Sequence, residues 1–427
     1  MTLSRRNLLG ALPLLASLSM PAFSASKTKP IRNLQDAIET ATTGDGRLDL
    51  PAGKIVASGI AIDRALTISG VAGRTRLISP DGRPVFIVAS PEPVVLSGLT
   101  FSTSAQSGTD SILLMGRGAG HLNVVDCHFE GAPGSGVRLE GCAGRISNNS
   151  FTRIGKTALF ARDSRGLEIS GNTVIDIGNN GIQVWTSEPR EDGSSIVNNR
   201  IARIRADDGG SGQNGNGINV YRAGNVTVSG NRISDCTFSA VRNNGGSNCQ
   251  IISNSISRMG EVAIYCEFGF EGAVVSGNLI EDVALGVSIT NFNDGGRLAV
   301  VANNVIRNVK GGGTLPNTNG VGIAAEADTS ITGNVIDDAR DTGISLGWGR
   351  YSRNLMATGN LVRNCGRGIA FSAVTGADGV LISSNRITAA RQGSIVGTDH
   401  GAPVTPDLGL PGADVPAGAK IEGNLVS

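Results

Sequence analysis

The stretch Ile146-Ser147-Asn148-Asn149-Ser150-Phe151 recurs along the chain as one pattern: apolar, small, Gly/Asn/Ser, Asn, any residue, apolar. Its Asn returns at 172, 199, 231, 254, 278, 304, 334, 360, 385 and 424, and an earlier copy, Val124 to Phe129, carries Cys127 in its place. A repeat of this length, stretched in places by insertions, is the signature of stacked structural units. Each period holds a second element, a short apolar–any–apolar run opened by Gly, as in Gly181-Ile182-Gln183-Val184-Trp185 and Gly217-Ile218-Asn219-Val220-Tyr221. Short Val/Ile-rich alternating runs separated by Gly and Asn read as strands. The expected fold class is all-β: a single-stranded parallel β-helix, a solenoid of about 12 coils, with Ile stacked on Ile inside and Asn on Asn at one corner. Asn suits such a corner because it tolerates left-handed backbone and because its amide can bond the coils above and below.

Composition agrees with many tight turns around a thin aliphatic core: 61 Gly in 427 residues, 4% aromatic and 17% charged. A formal charge of +1 supplies no basic footprint, so no nucleic acid is expected as a partner.

The chain divides into three parts. Residues 1–26 read as a twin-arginine signal peptide, from Ser4-Arg5-Arg6-Asn7-Leu8-Leu9, an apolar run to Leu18, and small residues where a peptidase could cut. That run is too short for a stable membrane span. It implies export in folded form, with the twin-arginine translocase as a transient partner and a periplasmic or secreted destination. Residues 27–56 read as a capping amphipathic helix (Ile31 to Ala41) and first strand, covering the open end of the solenoid. Residues 57–427 are the coils, interrupted at 398–418 by an irregular Gly/Pro-rich insertion. The six Cys have no partner at the matching place of an adjacent coil and read as buried thiols. No cofactor is expected, and a calcium site from Glu267 with Asp207 and Asp208 rests on loop carboxylates alone.

The cap phrase LQDAIETA…DLPAGKI, the repeated ISGN-x-I and the SRRNLL start together resemble the right-handed parallel β-helix proteins of the pectin-lyase-like superfamily, and among them the twin-arginine-exported repetitive proteins. The resemblance covers residues 31–427. It implies the fold; its motif residues are structural, and the superfold hosts lyases, hydrolases and adhesins.

Function is therefore read from what the coils display. In each Gly-opened strand the third and fifth residues face outward. Stacked coil on coil, the third positions run through Arg138, Phe160, Gln183, Asn219, Arg242, Tyr265 and Ser288 to Ala324, Ser345 and Ala370. The fifth run through Glu140, Arg162, Trp185, Tyr221, Asn244, Glu267 and Thr290 to Glu326, Gly347 and Ser372. Bulk and charge concentrate between 183 and 326, and insertions at 187–193, 205–216 and 310–319 flank the same stretch and would wall a groove. Such a groove suits a polysaccharide or cell-envelope glycan, with Gln183, Trp185, Asn219, Tyr221 and Asn244 binding substrate. For uronate elimination, Arg242 with Asn219 or Asn244 would neutralise the carboxylate, and Tyr265 would act as base and acid. For glycoside hydrolysis, Glu267 would pair with Glu326, or with Asp207 or Asp208. The alternative is a non-catalytic glycan-binding or structural β-helix. Trp348 and Tyr351 read as local packing.

Overall fold

The computed structural model describes residues 33–106, 110–290, 297–315 and 318–427. The signal segment therefore lies outside the described residues. From Arg47 onward the chain winds through three sheets of fifteen strands each, every third strand entering the same sheet. Sheet 1 runs from Arg47–Asp49 to Ala419–Glu422, sheet 2 from Gly53–Val56 to Leu425–Val426, and sheet 3 from Ile60–Ile62 to Ile395–Asp399 and its hairpin partner. Neighbouring strands pair in parallel and in register, which defines a right-handed parallel β-helix.

The twelve coils that carry the corner motif are all present, and three more precede them. In the coil before Cys127 the corner residue is Leu99, fully buried, whose carbonyl accepts from the His128 amide at 2.8 Å. These early coils close their corner with apolar or Gly-rich turns, so they lack the motif that reveals the others.

The Asn corner lies between sheets 1 and 2. From Asn172 to Asn385 each ladder side chain receives two bonds and gives at least two. At Asn231, Oδ1 accepts from the Asn199 backbone N–H at 2.9 Å and from its Nδ2 at 3.0 Å. Its own Nδ2 donates back to the Ile196 carbonyl at 2.9 Å and on to Asn254 Oδ1 at 3.0 Å. The same pattern runs from Cys127, whose amide donates to Asn149, to Asn424. One part of the expectation is corrected. The ladder Asn is not the left-handed residue; that is the residue before it, Asn148 (φ 56°), Gly171 (φ 65°), Asn198 (φ 57°) or Ser253 (φ 57°). The turn needs one positive φ, and placing it one residue earlier aims the Asn side chain inward along the stack. This explains the Gly/Asn/Ser preference at that position.

Sheet 3 begins at the opposite corner, and its opening Gly is required by contact with the core. A Cβ on Gly181 would stand 3.2 Å from Ile201 Cγ2 and 2.4 Å from the Gly217 carbonyl, and one on Gly217 would stand 2.7 Å from Ile233 Cγ2. The inner Ile of sheet 2 fills the place a side chain would take. Within the strand, Ile182, Val184, Ile218, Val220, Ile264 and Cys266 point into a core that is continuous along the stack. Phe101, Phe129 and Phe151 stack face to face inside it at 4.8 and 4.9 Å. All six Cys are reduced and buried, and burial pushes the Cys127 thiol up to about 12 and Cys365 to about 11.

The helix spans Leu34–Thr43, capped by Asn33, whose Oδ1 accepts from the Gln35 amide at 3.0 Å. Leu34, Ile38 and Ala41 are its buried side chains. At the other end the segment expected to be irregular contains a strand, Ala402–Asp407, antiparallel to Ile395–Asp399. Pro403 and Pro406 are tolerated there because this is an edge strand, with no further partner to receive their missing N–H groups. The hairpin closes the edge of sheet 3.

Candidate functional site

The outer face of sheet 3 holds the expected rows in the expected register. Gln183 pairs with Asn219, Asn219 with Arg242, and Arg242 with Tyr265; Trp185 pairs with Tyr221, Tyr221 with Asn244, and Asn244 with Glu267. The rows divide into three stretches.

The first stretch is aromatic. Phe160 meets Trp185 edge-on at 5.2 Å, and Trp185 meets Tyr221 at 5.2 Å with a 51° tilt. Arg138 covers the Phe160 ring and Arg222 the Tyr221 ring. The rings are thus occupied largely by one another, while Trp185 Nε1 is buried without a partner among the described residues.

The middle stretch is an ion cluster that the coils cover. Arg242 Nε donates to Glu267 Oε1 at 2.6 Å and Nη2 to Oε2 at 3.0 Å, while Nη1 reaches Glu261 Oε2 at 3.4 Å. Asn244 adds a 2.9 Å bond to Glu267 Oε1, and Ser239 Oγ a 3.0 Å bond to Glu261 Oε2. Glu267 is 2% exposed and Glu261 5%. Burial, opposed by Arg242 and the Ser239 bond, holds the Glu261 carboxyl above its ordinary range. The Arg242 guanidinium lies under the Tyr265 ring at 4.9 Å. Burial and the nearby Glu267 charge push the Tyr265 phenol up to about 12, against the pull of Arg242 and a hydrogen bond with Thr290.

The loop at 205–216 lies across this cluster. A Cβ on Gly212 would fall 1.8 Å from Arg242 Nη1, so only Gly permits the approach. Asn216 Nδ2 holds the Gly212 carbonyl at 2.8 Å, and Asn180 Nδ2 holds that of Gln213 at 3.2 Å. Gln183 and Asn219, expected to be displayed, are 6% and 5% exposed. Gln183 accepts from Thr157 Oγ1 at 3.0 Å. The outward direction was legible from alternation; the cover was not.

The third stretch is open. A cavity of about 190 Å³ sits over the small residues Ala324, Ser345 and Ala370, with Glu326, Trp348 and Arg367 among its walls. Arg367 is 7% exposed; Nη2 bonds Asp341 Oδ1 at 2.5 Å and Nη1 the Gly401 carbonyl at 2.7 Å, while Nε is buried with no partner among the described residues. Trp348 is 46% exposed, its ring edge-on to His400 at 5.2 Å. Trp348 therefore lines a cavity rather than filling a packing gap. The small residues are the floor of the concavity rather than the end of the site.

Several expected partnerships are not formed. Asp208 is tied to Lys156 and to Asn179, whose Nδ2 donates at 2.8 Å, at a corner three coils from Glu267. Lys156 holds its carboxyl below the ordinary range. Asp207 is bound by Arg205 at 2.9 Å. A calcium site of these residues with Glu267 is thus not assembled, and among the described residues no three His, Cys, Asp or Glu side chains group as metal ligands. Glu326 faces the open cavity while Glu267 lies inside the covered cluster, so the two carboxylates stand in different environments. The insertion at 187–193 is mainly strand: Asn180–Glu191 continues along its neighbour, Arg190 pairing with Ala223 after a bulge. It walls no groove.

Glu261 and Asp341 were missed because they sit at the corner before the strand, and Arg367 because it is the first strand residue, all three outside the third and fifth positions. Their signal was a charged residue where most coils place a small or neutral one, as at Gly134, Ser135, Asn180 and Asn216.

The chain belongs to the right-handed β-helix family, whose model matches residues 81–201 and 190–350. No curated protein matches the sequence. Among solved structures, the catalytic domain of a GH87 α-1,3-glucanase in complex with nigerose is similar at 15% identity, TM-score 0.56, over 85% of this chain and 68% of that one. A PL6 alginate lyase complexed with a trisaccharide is similar at 15% identity, TM-score 0.46, over 93% and 83%. PfbA, a surface adhesin of Streptococcus pneumoniae, is similar at 16% identity, TM-score 0.48, over 88% and 92%. Such identities establish the fold alone.

Proposed function

We propose that the protein binds a polysaccharide along the outer face of sheet 3, with one sugar unit seated in the cavity beside Trp348. The observation that carries this reading is the small-residue floor of Ala324, Ser345 and Ala370 beneath an exposed indole, a carboxylate and a buried, incompletely bonded guanidinium. An indole offers an apolar face to a sugar ring, and Glu326 and Arg367 offer an acceptor and a donor to its hydroxyls. The saccharide ligands of two structurally similar proteins agree with this class of partner.

A second reading, glycoside hydrolysis, rests on the Glu261/Glu267 pair and requires the loop at 205–216 to move off it, since both carboxylates are covered here. Glu261, with its raised pKa, is suited to hold a proton for a leaving group, and Glu267 stands beside it, bonded on both oxygens by Arg242. Elimination is disfavoured. Arg242 is already engaged by two carboxylates, and a phenol at about 12 makes Tyr265 a poor base.

The protein acts outside the cytoplasm, reached in folded form through the Arg5-Arg6 signal; Arg5→Lys with Arg6→Lys would leave it in the cytoplasm on fractionation. To test binding and turnover, the mature protein is titrated calorimetrically with neutral and acidic oligosaccharides while new reducing ends and unsaturated uronates are followed. The expected result is glycan binding that Trp348→Ala weakens. Reducing ends lost in Glu261→Gln would establish hydrolysis, and unsaturated products would overturn the chemical assignment. Failure of every glycan to bind would sink the reading.

A further inference from the structure

Sheet 2 carries a second concavity, of about 770 Å³, on a face that the preceding sections leave unused. It is built from three rows across the strands Arg200–Ile204, Arg232–Cys236 and Ser255–Met259. In the middle row, Ala202, Ser234 and Ser257 stack in register. On one side stand Arg200 and Arg232, also stacked. On the other stand Arg203, Asp235 and Arg258, each at a left-handed backbone position (φ 56°, 58° and 60°) that turns its side chain up along the edge. A floor of small side chains thus runs between two taller walls. Ile175 closes one end, and Glu281, bonded by Arg307 Nε at 2.9 Å, closes the other.

The two walls differ in how their charge is used. Arg203 bonds Asp176 at 2.5 and 2.9 Å, and Arg258 bonds Asp235 at 2.6 and 2.8 Å. Arg200 and Arg232 are exposed, and no side-chain hydrogen bond or ion pair engages either among the described residues. In-register neighbours stand about 4.8 Å apart, and like charges so placed repel. The coils on either side avoid this, with Thr173 and Ser255 in the same row.

We propose that this trough binds a segment of acidic polysaccharide, its carboxylates bridging Arg200 and Arg232. A guanidinium pair at strand spacing suits anionic groups repeated along a polymer, and each can take a carboxylate in bidentate fashion. Ser234 and Ser257 supply hydroxyls along the floor, and the exposed Leu279 and Val305 at one end supply apolar surface for sugar faces. Among the described residues no aromatic side chain lines the trough, which sets it apart from a single-strand nucleic-acid groove. The site is independent of sheet 3.

The test is titration of the full mature chain with hexagalacturonate and, as a neutral chain of equal length, maltohexaose, at low and high salt. Wild type binds hexagalacturonate, more weakly as salt rises. Arg200→Gln with Arg232→Gln weakens it at least tenfold. Arg386→Gln, an exposed arginine farther along the same row, leaves affinity unchanged. Equal affinity for both oligosaccharides, or a double variant that binds like wild type, overturns the proposal.

Discussion

The Asn corner and the outer face of sheet 3 use the same geometry, residues stacked coil on coil in register, with opposite results. At the corner the same neutral side chain repeats, and the inner rungs share the same bonds to the next Asn. On sheet 3 almost no residue repeats: an aromatic stretch gives way to an ion cluster and then to a small-residue floor. Uniform rungs are what a ladder needs, because each amide must serve as partner to the next. A surface that recognises one ligand must break the repeat.

The largest effect is expected inside the ion cluster. Arg242→Gln leaves Glu261 and Glu267 buried without their counter-charge and should cost about 4 kcal/mol in urea unfolding at pH 8. The loss should shrink as pH falls and the Glu261 carboxyl, held above its ordinary range by burial, takes up a proton. Equal loss at pH 5 and pH 8 would mean that packing, rather than charge, holds the cluster. At the corner, Asn231→Ala orphans the Asn199 amide and the Ile196 carbonyl and should cost about 3 kcal/mol, leaving glycan affinity untouched. A change in affinity would join two regions that the fold keeps apart.

On the cavity floor the balance reverses. Ala324→Leu fills the concavity and should weaken glycan binding about tenfold, or about 1.4 kcal/mol, with little change in thermal stability. Unaltered affinity would move the sugar site elsewhere on the face. The smallest effect concerns Glu261 alone. Its folded pKa is raised, so the folded state holds the proton more tightly than the unfolded chain. The stability this contributes is present below the unfolded pKa and is lost as pH rises through the folded one. Glu261→Gln should therefore flatten the decline in melting temperature above pH 4.5; a decline of the same slope would assign it to another group.

The fold was readable because it rests on repetition. Ile146 to Phe151 and its copies marked twelve corners, and the Gly-opened runs marked the strands of sheet 3 with their register. The three coils before Cys127 escaped notice because Leu99 closes a corner without the motif. Of the site, alternation along single strands reached Arg242, Tyr265, Asn244 and Glu267. It could not reach Glu261 and Arg367, whose side chains come onto the face from the corner, nor show that Gly212 would lie against Arg242.

By itself, the sequence determined the coil, its corner and which side chains face out, since these follow from a local period and from strand geometry. Only the tertiary structure decided which outward side chains meet solvent and which meet a loop or one another. Asp208 lies 52 residues from its Lys156 partner, and Arg242 is separated by 19 from Glu261 and by 25 from Glu267. The first of these depends on how the insertion at 205–216 folds back over the coils, and no periodicity records that.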